Sequence, residues 1–413
     1  MSLVIRPYNK HKDQKAAHRI WLETGWTSKD KTRAMDLYLE SGRALVIDHN
    51  GEPECLGIST PGSIRYLKED LPFSSIPAIT TSRIARRQGL ASRLTAQLIA
   101  EDTLDGALVC GLGMFDQGFY NQLGFGSGCY EHWVMFDPAS LDVQAISRPP
   151  RRLSQDDWET MHQARLKRIR THGTIILHPS SITRADMVSD EDNNYFGLGY
   201  FDDPNDQLSH YLWGATSNVE RGPYNIWWMS YQNAGQFMEL LALIKTFGDQ
   251  VHKVSLEEPP DIQMQDFIQQ PFKQFRVTEK SEYAGGIRAR AFWQMRICNL
   301  AGCLEKTHLP GETVRFNLRL SDPINNYLSK DMPWLGIAGS YIVTLGPVSH
   351  AEEGTDNKLP TLTASVGAFT RMWLGVRPAS GLAVSDDLAA PEDLLSLLDS
   401  ILRLPTPKPD WPF

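Results

Sequence analysis

Arg83, Arg86, Arg87 and Gly89 stand close together at the start of an apolar-striped stretch. The core of this pattern is Arg86-x-x-Gly89-x-Ala91, between a strand-like run at 75–81 and a helix-like run at 89–101. Small residues at Gly89 and Ala91 let the backbone approach a ligand closely. A helix start offers unpaired N–H groups and the positive end of a dipole. With arginines beside it, such a loop suits an anion of the pyrophosphate type. A basic, solvated helix start reads the same way, so the pattern alone has low specificity. The second chemical candidate is Tyr120, in Phe119-Tyr120-x-x-Leu123-Gly124-Phe125. A phenol of pKa about 10 is protonated at neutral pH and can give a proton to a leaving thiolate. Core packing accounts for a lone tyrosine equally well.

Trp21, Trp26, Asp30, Asp36 and Tyr38 fall in the first helical region. Acidic and aromatic side chains together suit a cation such as a polyamine. They also fit core aromatics beside a solvated acidic face. His11, His18 and the other histidines show no spacing of the His-x-x-x-His kind, so no metal is expected.

These residues need elements to hold them. The first part of the chain reads as a strand at 3–5, a helix around 16–24, and strands at 44–47 and 55–58 joined through Asn50-Gly51. Asn-Gly between two such runs is a strong hairpin signal. With the helix at 89–101 and a strand at 107–112, the pattern becomes strand–turn–helix–strand, a βαβ unit. Two prolines among three arginines at 148–152 suggest a linker. A helix at 157–170, a strand at 225–231, a helix at 236–246 and a strand at 251–256 repeat the rhythm. Beyond 285, alternating apolar residues predict strands at 314–320 and 341–345. Helices are predicted at 368–374 and 391–402, with Pro391 in the first turn. Four prolines in the last nine residues exclude helix there, and such a tail is normally frayed.

Length and charge bound the rest. The 413 residues predict two to three domains. A net charge of −8 disfavours a nucleic-acid partner. Five cysteines without a C-x-x-C pair argue against both a zinc ribbon and a disulfide framework. The N-terminus turns polar at once, and no apolar run nears the ~18 residues of a membrane span. The expectation is a cytoplasmic protein without a membrane span.

The loop Arg86-x-x-Gly89-x-Ala91, followed after one helix and one strand by Phe119-Tyr120-x-x-Leu123-Gly124-Phe125, resembles the GCN5-related N-acetyltransferases (GNAT). The joint match, in order, is far more specific than either motif and covers roughly residues 1–140. The resemblance implies that Arg86, Arg87, Gln88, Gly89, Leu90 and Ala91 bind the pyrophosphate of the co-substrate acetyl-CoA. It implies that Tyr120 is the general acid, and that backbone at Ile79, Thr80 and Thr81 meets the pantetheine. The family often has Val-x-Val at that last place, so Thr80 and Thr81 depart from its pattern. The first helical region lines the acceptor side in the family, which makes Trp26, Asp30, Asp36 and Tyr38 its candidates here.

The rest of the chain is similar to the Eis-like branch (enhanced intracellular survival). The stretch at 286–300, Asp322-Pro323 and Trp373-Leu374-Gly375 carry that likeness. It implies an α/β (α+β) fold: tandem GNAT-like domains, each a mixed, partly splayed sheet flanked by helices, then a sterol-carrier-protein-like domain. The expected boundaries are 1–148 catalytic, 149–285 a degenerate second copy, and 286–413 the third domain. The second copy lacks both motifs, so one active site per chain is expected. In this branch the C-terminal carboxylate enters the active site as general base, which here assigns it to Phe413, with Trp411 and Pro412 anchoring the tail. The expected activity is acetyl transfer to a polyamine, aminoglycoside-like or lysine-type amine by a homo-oligomer, a hexamer by resemblance. The rivals are transfer of a longer acyl group, and a non-enzymatic protein holding an apolar ligand in the third domain.

Overall fold

The computed structural model describes residues 4–114, 116–189, 194–202 and 207–412, without the side chains of Asp30, Ser189 and 273–275. The protein is mixed α/β, with three mixed sheets flanked by helices and no closed barrel among the described residues. It forms two compact units. One combines the chain up to Cys129 with Thr171–Pro179 and the chain from Ala291 onward; the other takes Tyr130–Arg170 and Ser180–Arg290.

The first unit opens with β1 (Val4–Pro7), α1 (Lys10–Thr24), α2 (Thr32–Leu39), β2 (Arg43–His49), β3 (Glu52–Tyr66) and β4 (Glu69–Thr81). Then come α3 (Leu90–Leu104), β5 (Val109–Gly113) and the short β6 (Gly126–Ser127). The Asn9 side chain caps α1 by accepting from the His11 and Lys12 N–H groups, and Gly25 ends it. Asn50 and Gly51, both at positive φ, close the β2–β3 hairpin as predicted. The sheet runs β1-β2-β3-β4-β5, then the strand Trp293–Ile297, then β6. The strand Ile175–Leu177 adds to β3 at Gly62–Ile64. Ala17, Ile20 and Trp21 of α1 pack on one face with Ile58 and Ala78. Leu90, Leu94 and Leu98 of α3 pack on the other with Leu45, Ile47 and Cys55. Alternation along β4 therefore sends Ala78 towards α1 and Ile79 towards α3.

The same unit holds a second sheet, ordered His350–Glu353, Gly339–Leu345, Val314–Ser321, Thr361–Ser365 and Leu388–Ala389. The helices Val366–Trp373 and Glu392–Ile401 belong with it. Pro391 is the cap residue of the latter, one place ahead of the predicted first turn. The proline-rich tail is docked up to Pro412: Lys408 N–H donates to the His172 carbonyl (3.2 Å) and Ile175 N–H to Asp410 (3.3 Å). Trp411 is buried.

The other unit is a seven-stranded sheet with one parallel pair, Tyr224–Ser230 beside Val254–Glu257. The expected linker is structured. Arg151–Leu153 is an edge strand, and Arg148 is clamped by Glu239 (2.8 Å) and Asp202 (2.7 Å). The arginines of the expected linker thus include one pinned by ion pairs. All five cysteines are buried and free. No described helix is long and apolar enough to cross a membrane.

Candidate active site

β4 and β5 run parallel only from Phe73 to Ser75, opposite Val109 to Gly111. Immediately after, the register with β3 slips: Thr60 pairs Ser75 but Ile58 pairs Ala78, so Ile76 and Pro77 form a bulge. A bulge bends its strand and raises its twist, and Pro77 has no N–H for a ladder. Beyond it, Ile79, Thr80 and Thr81 pair with Gly57, Leu56 and Cys55 on the β3 side, and no described strand pairs their other edge. Between β4 and β5 the sheet is open. Thr80 and Ser82, two residues apart and so on one side of the chain, bury hydroxyls without a described hydrogen-bond partner. Thr81 faces the opposite way and meets the Cys55 sulfur at 3.3 Å.

The strand leads into the loop at 82–89. Arg87 and Gly89 both have positive φ (62° and 73°), and no side chain caps α3. The first N–H groups of α3, at Leu90 and Ala91, are therefore available to an anion. The left-handed conformation strains most L-residues, which explains a glycine at 89. A side chain there would meet nothing within 4 Å, so the loop mouth is open. Arg86, Arg87 and Gln88 are exposed, Ala91 is half-buried and Leu90 is anchored in the core. Arg83 is engaged elsewhere: it donates to the Glu23 carbonyl at 3.0 Å.

Tyr120 begins a single 3-10 turn, Tyr120–Leu123, that Gly124 ends with φ 82°. Its ring sits edge-on to Phe119 at 4.9 Å and Phe125 at 6.1 Å. It packs against the same apolar cluster as Ile79, a cluster that includes Ile76 and Leu112. The wedge-shaped opening between β4 and β5 and the tyrosine therefore share one wall. Burial pushes the phenol up to about 12. No described group bonds its hydroxyl.

The acceptor-side candidates divide. Trp21 lies 6.1 Å from Trp26 and 6.4 Å from Tyr38, and Trp26 is exposed. Asp36 is held by His18 and Gln14, both at 3.0 Å, so it is a satisfied carboxylate rather than a free one. The side chain of Asp30 and all of Phe413 lie outside the described residues. Sequence reasoning named the stretch at 286–300 and Asp322-Pro323 only as family likeness and missed Tyr327; the side chains of Gln294, Arg296 and Tyr327 converge on the Tyr120 turn, with Asp322 behind Arg296. A buried Arg and Gln inside the apolar run Trp293–Ile297 was the available signal.

No protein-family model matches the chain, and no curated protein matches it. Solved structures do. A GCN5-related N-acetyltransferase from Anabaena variabilis ATCC 29413 aligns over 100% of both chains with TM-score 0.79 and 16% identity. Eis1 from Mycobacterium abscessus aligns over 100% of both with TM-score 0.77 and 13% identity. A GCN5-related N-acetyltransferase from Kribbella flavida covers 100% of this chain and 98% of its own, with TM-score 0.74 and 14% identity. The fold is that of the GCN5-related N-acetyltransferases. The end-to-end match with Eis1 narrows it to the Eis-like architecture.

Proposed function

We propose that the protein is an acetyl-CoA-dependent N-acetyltransferase that moves an acetyl group to a primary amine in one ternary complex. The carrying observation is a conjunction in one unit: an uncapped basic helix start, a strand with one unpaired edge, and a half-buried tyrosine packed against the same cluster as that strand. Acetyl-CoA, the co-substrate, supplies a thioester. The N–H groups of Gly89, Leu90 and Ala91 would take its pyrophosphate, with Arg86 and Arg87 adding charge and Gln88 shaping the loop. The open space before Gly89 supports that fit. The free edge at Ile79, Thr80 and Thr81 would pair with the pantetheine and polarise the thioester carbonyl.

By the Eis-like resemblance the acceptor amine loses a proton to an α-carboxylate at Phe413, and its nitrogen bonds the acetyl carbon. The C–S bond breaks, and the CoA sulfur takes the proton of Tyr120. The course of the tail supports this role for Phe413. From Lys408 beside His172 to Asp410 beside Ile175, the tail advances alongside the segment that leads into Ile175–Leu177. That strand runs from Ile64 towards Gly62, the direction of the β4 bulge.

In this reading 1–148 is the catalytic domain, 149–285 a degenerate copy and 286–413 a sterol-carrier-protein-like domain. Degeneracy has a physical sign: Asn233 caps the helix Ala234–Thr246 with its own side chain, so that helix start is not open to an anion. Trp26 and Tyr38 would offer ring faces to a cationic polyamine, aminoglycoside or lysine side chain, in a cytoplasmic homohexamer. One observation favours an apolar-ligand protein, although not with the ligand in the third domain as expected. A cavity of about 300 Å³ in the other unit is lined by Val134, Phe136, Ile268, Phe272 and Ile287.

The test is turnover of acetyl-CoA and longer acyl-CoAs over polyamines, aminoglycosides, lysine peptides and arylamines. Acetyl-CoA is expected to be the best donor with at least one amine. No binding of acetyl-CoA by calorimetry would favour the apolar-ligand reading. Residues added after Phe413 are expected to abolish turnover without unfolding; full activity in that extended protein removes the carboxylate from the mechanism.

A further inference from the structure

We propose that Gln294, Arg296 and Tyr327 are positioning residues that aim Tyr120 by gripping the turn it begins; this rests on the reading of Tyr120 as general acid. The three residues after Tyr120 are each bonded by one of these side chains. Gln294 Nε2 donates to Asn121 Oδ1 at 3.2 Å. The Tyr327 hydroxyl donates to Gln122 Oε1 at 3.0 Å. Arg296 Nη1 donates to the Leu123 carbonyl.

The grip is built on rigid parts. The strand Trp293–Ile297 pairs along its whole length with β5, so Gln294 and Arg296 cannot drift. Arg296 forms a two-pronged pair with Asp322 at 2.6 and 3.2 Å, both side chains wholly buried. Asp322 also accepts from the Ile324 and Ile337 N–H groups, at 3.2 and 3.0 Å. A buried ion pair is weak evidence of net stabilisation, since a well-packed apolar pair often does as well. An apolar side chain cannot donate to the Leu123 carbonyl, however, and that bond is what the pair adds. The turn is pressed against the guanidinium: a Cβ on Gly124 would lie 2.9 Å from Arg296 Nη1.

Tyr120 needs this support because no described group holds its hydroxyl. Its direction is set by its backbone and by Phe119 and Phe125. A displacement near 1 Å at a reacting group can cost on the order of a hundredfold in rate.

The experiment is a double-mutant cycle on the full-length chain. Gln294→Met removes the bond to Asn121 together with one from Nε2 to Ser127 Oγ (3.0 Å), and Tyr327→Phe removes the bond to Gln122; both leave the buried ion pair intact, and thermal unfolding checks that both fold. Each is expected to lower kcat by on the order of tenfold with KM for acetyl-CoA little changed. In a Tyr120→Phe background, the same substitutions are expected to have no further effect. A slow Tyr120→Phe enzyme beside Gln294→Met and Tyr327→Phe at wild-type rate overturns the inference alone, as does full multiplication of the effects. Tyr120→Phe at wild-type rate overturns the general-acid reading and the inference with it.

Discussion

Burial lifts the Tyr120 phenol to about 12, above an ordinary tyrosine, because the ionised form would lose water. The group therefore stays protonated wherever the enzyme is assayed. The kcat–pH profile is expected to show no basic limb from Tyr120 below about pH 11. Initial rates at saturating substrate from about pH 6 to 10.5 test this. A basic limb near pH 9–10 that disappears in Tyr120→Phe would contradict it. At this scale the sequence was informative where a motif has local geometry. The left-handed backbone at Gly89 and the Asn50-Gly51 turn were both legible from residue type. Asp36 did not: its partners His18 and Gln14 sit one helix away, and only packing shows that its charge is already used.

Elements place these groups, and two of them can be perturbed selectively. Gly124→Ala puts a Cβ 2.4 Å from Val366 Cγ1 on a residue with φ 82°. The expected cost is roughly 1–3 kcal/mol by denaturant unfolding, with kcat falling more than KM rises, because the Tyr120 turn must shift. An alanine variant of wild-type stability and rate would show that the turn is not confined. In the other unit, the Arg148 guanidinium, hydrogen-bonded to Glu239 and Asp202, holds both carboxyls below their usual range. Carboxylates depressed in the folded state stabilise it above their unfolded pKa, and that share is lost as pH falls through the folded value. Arg148→Met is therefore expected to lower Tm fully above about pH 5, with the gap to wild type closing as pH falls below about 4. A gap independent of pH would mean that the ion pairs contribute nothing. Strands such as Val314–Ser321 were legible because alternation survives where one face is wet. Trp293–Ile297 was not legible as the completing strand of the first sheet. It is buried on both faces and shows no alternation, and its partner β5 lies some 180 residues earlier.

At the scale of the whole molecule, chain order and spatial order part company. Thr171–Pro179 and the chain from Ala291 onward join the unit built by the first 129 residues. The tail docks on that same Thr171–Pro179 segment, and buried Trp411 is its largest anchor. Trp411→Ala is expected to free the tail, lowering kcat by at least about tenfold with acetyl-CoA affinity unchanged; unchanged turnover would separate the tail from catalysis. Such pairings are set by contacts hundreds of residues apart, which local periodicity does not encode. The central claim is acetyl transfer at the wedge with Tyr120 as acid, and steady-state turnover of Tyr120→Phe beside wild type tests it most directly. The account predicts kcat lower by about 10²–10⁴-fold at an unchanged KM for acetyl-CoA; equal kcat in the two proteins would contradict it.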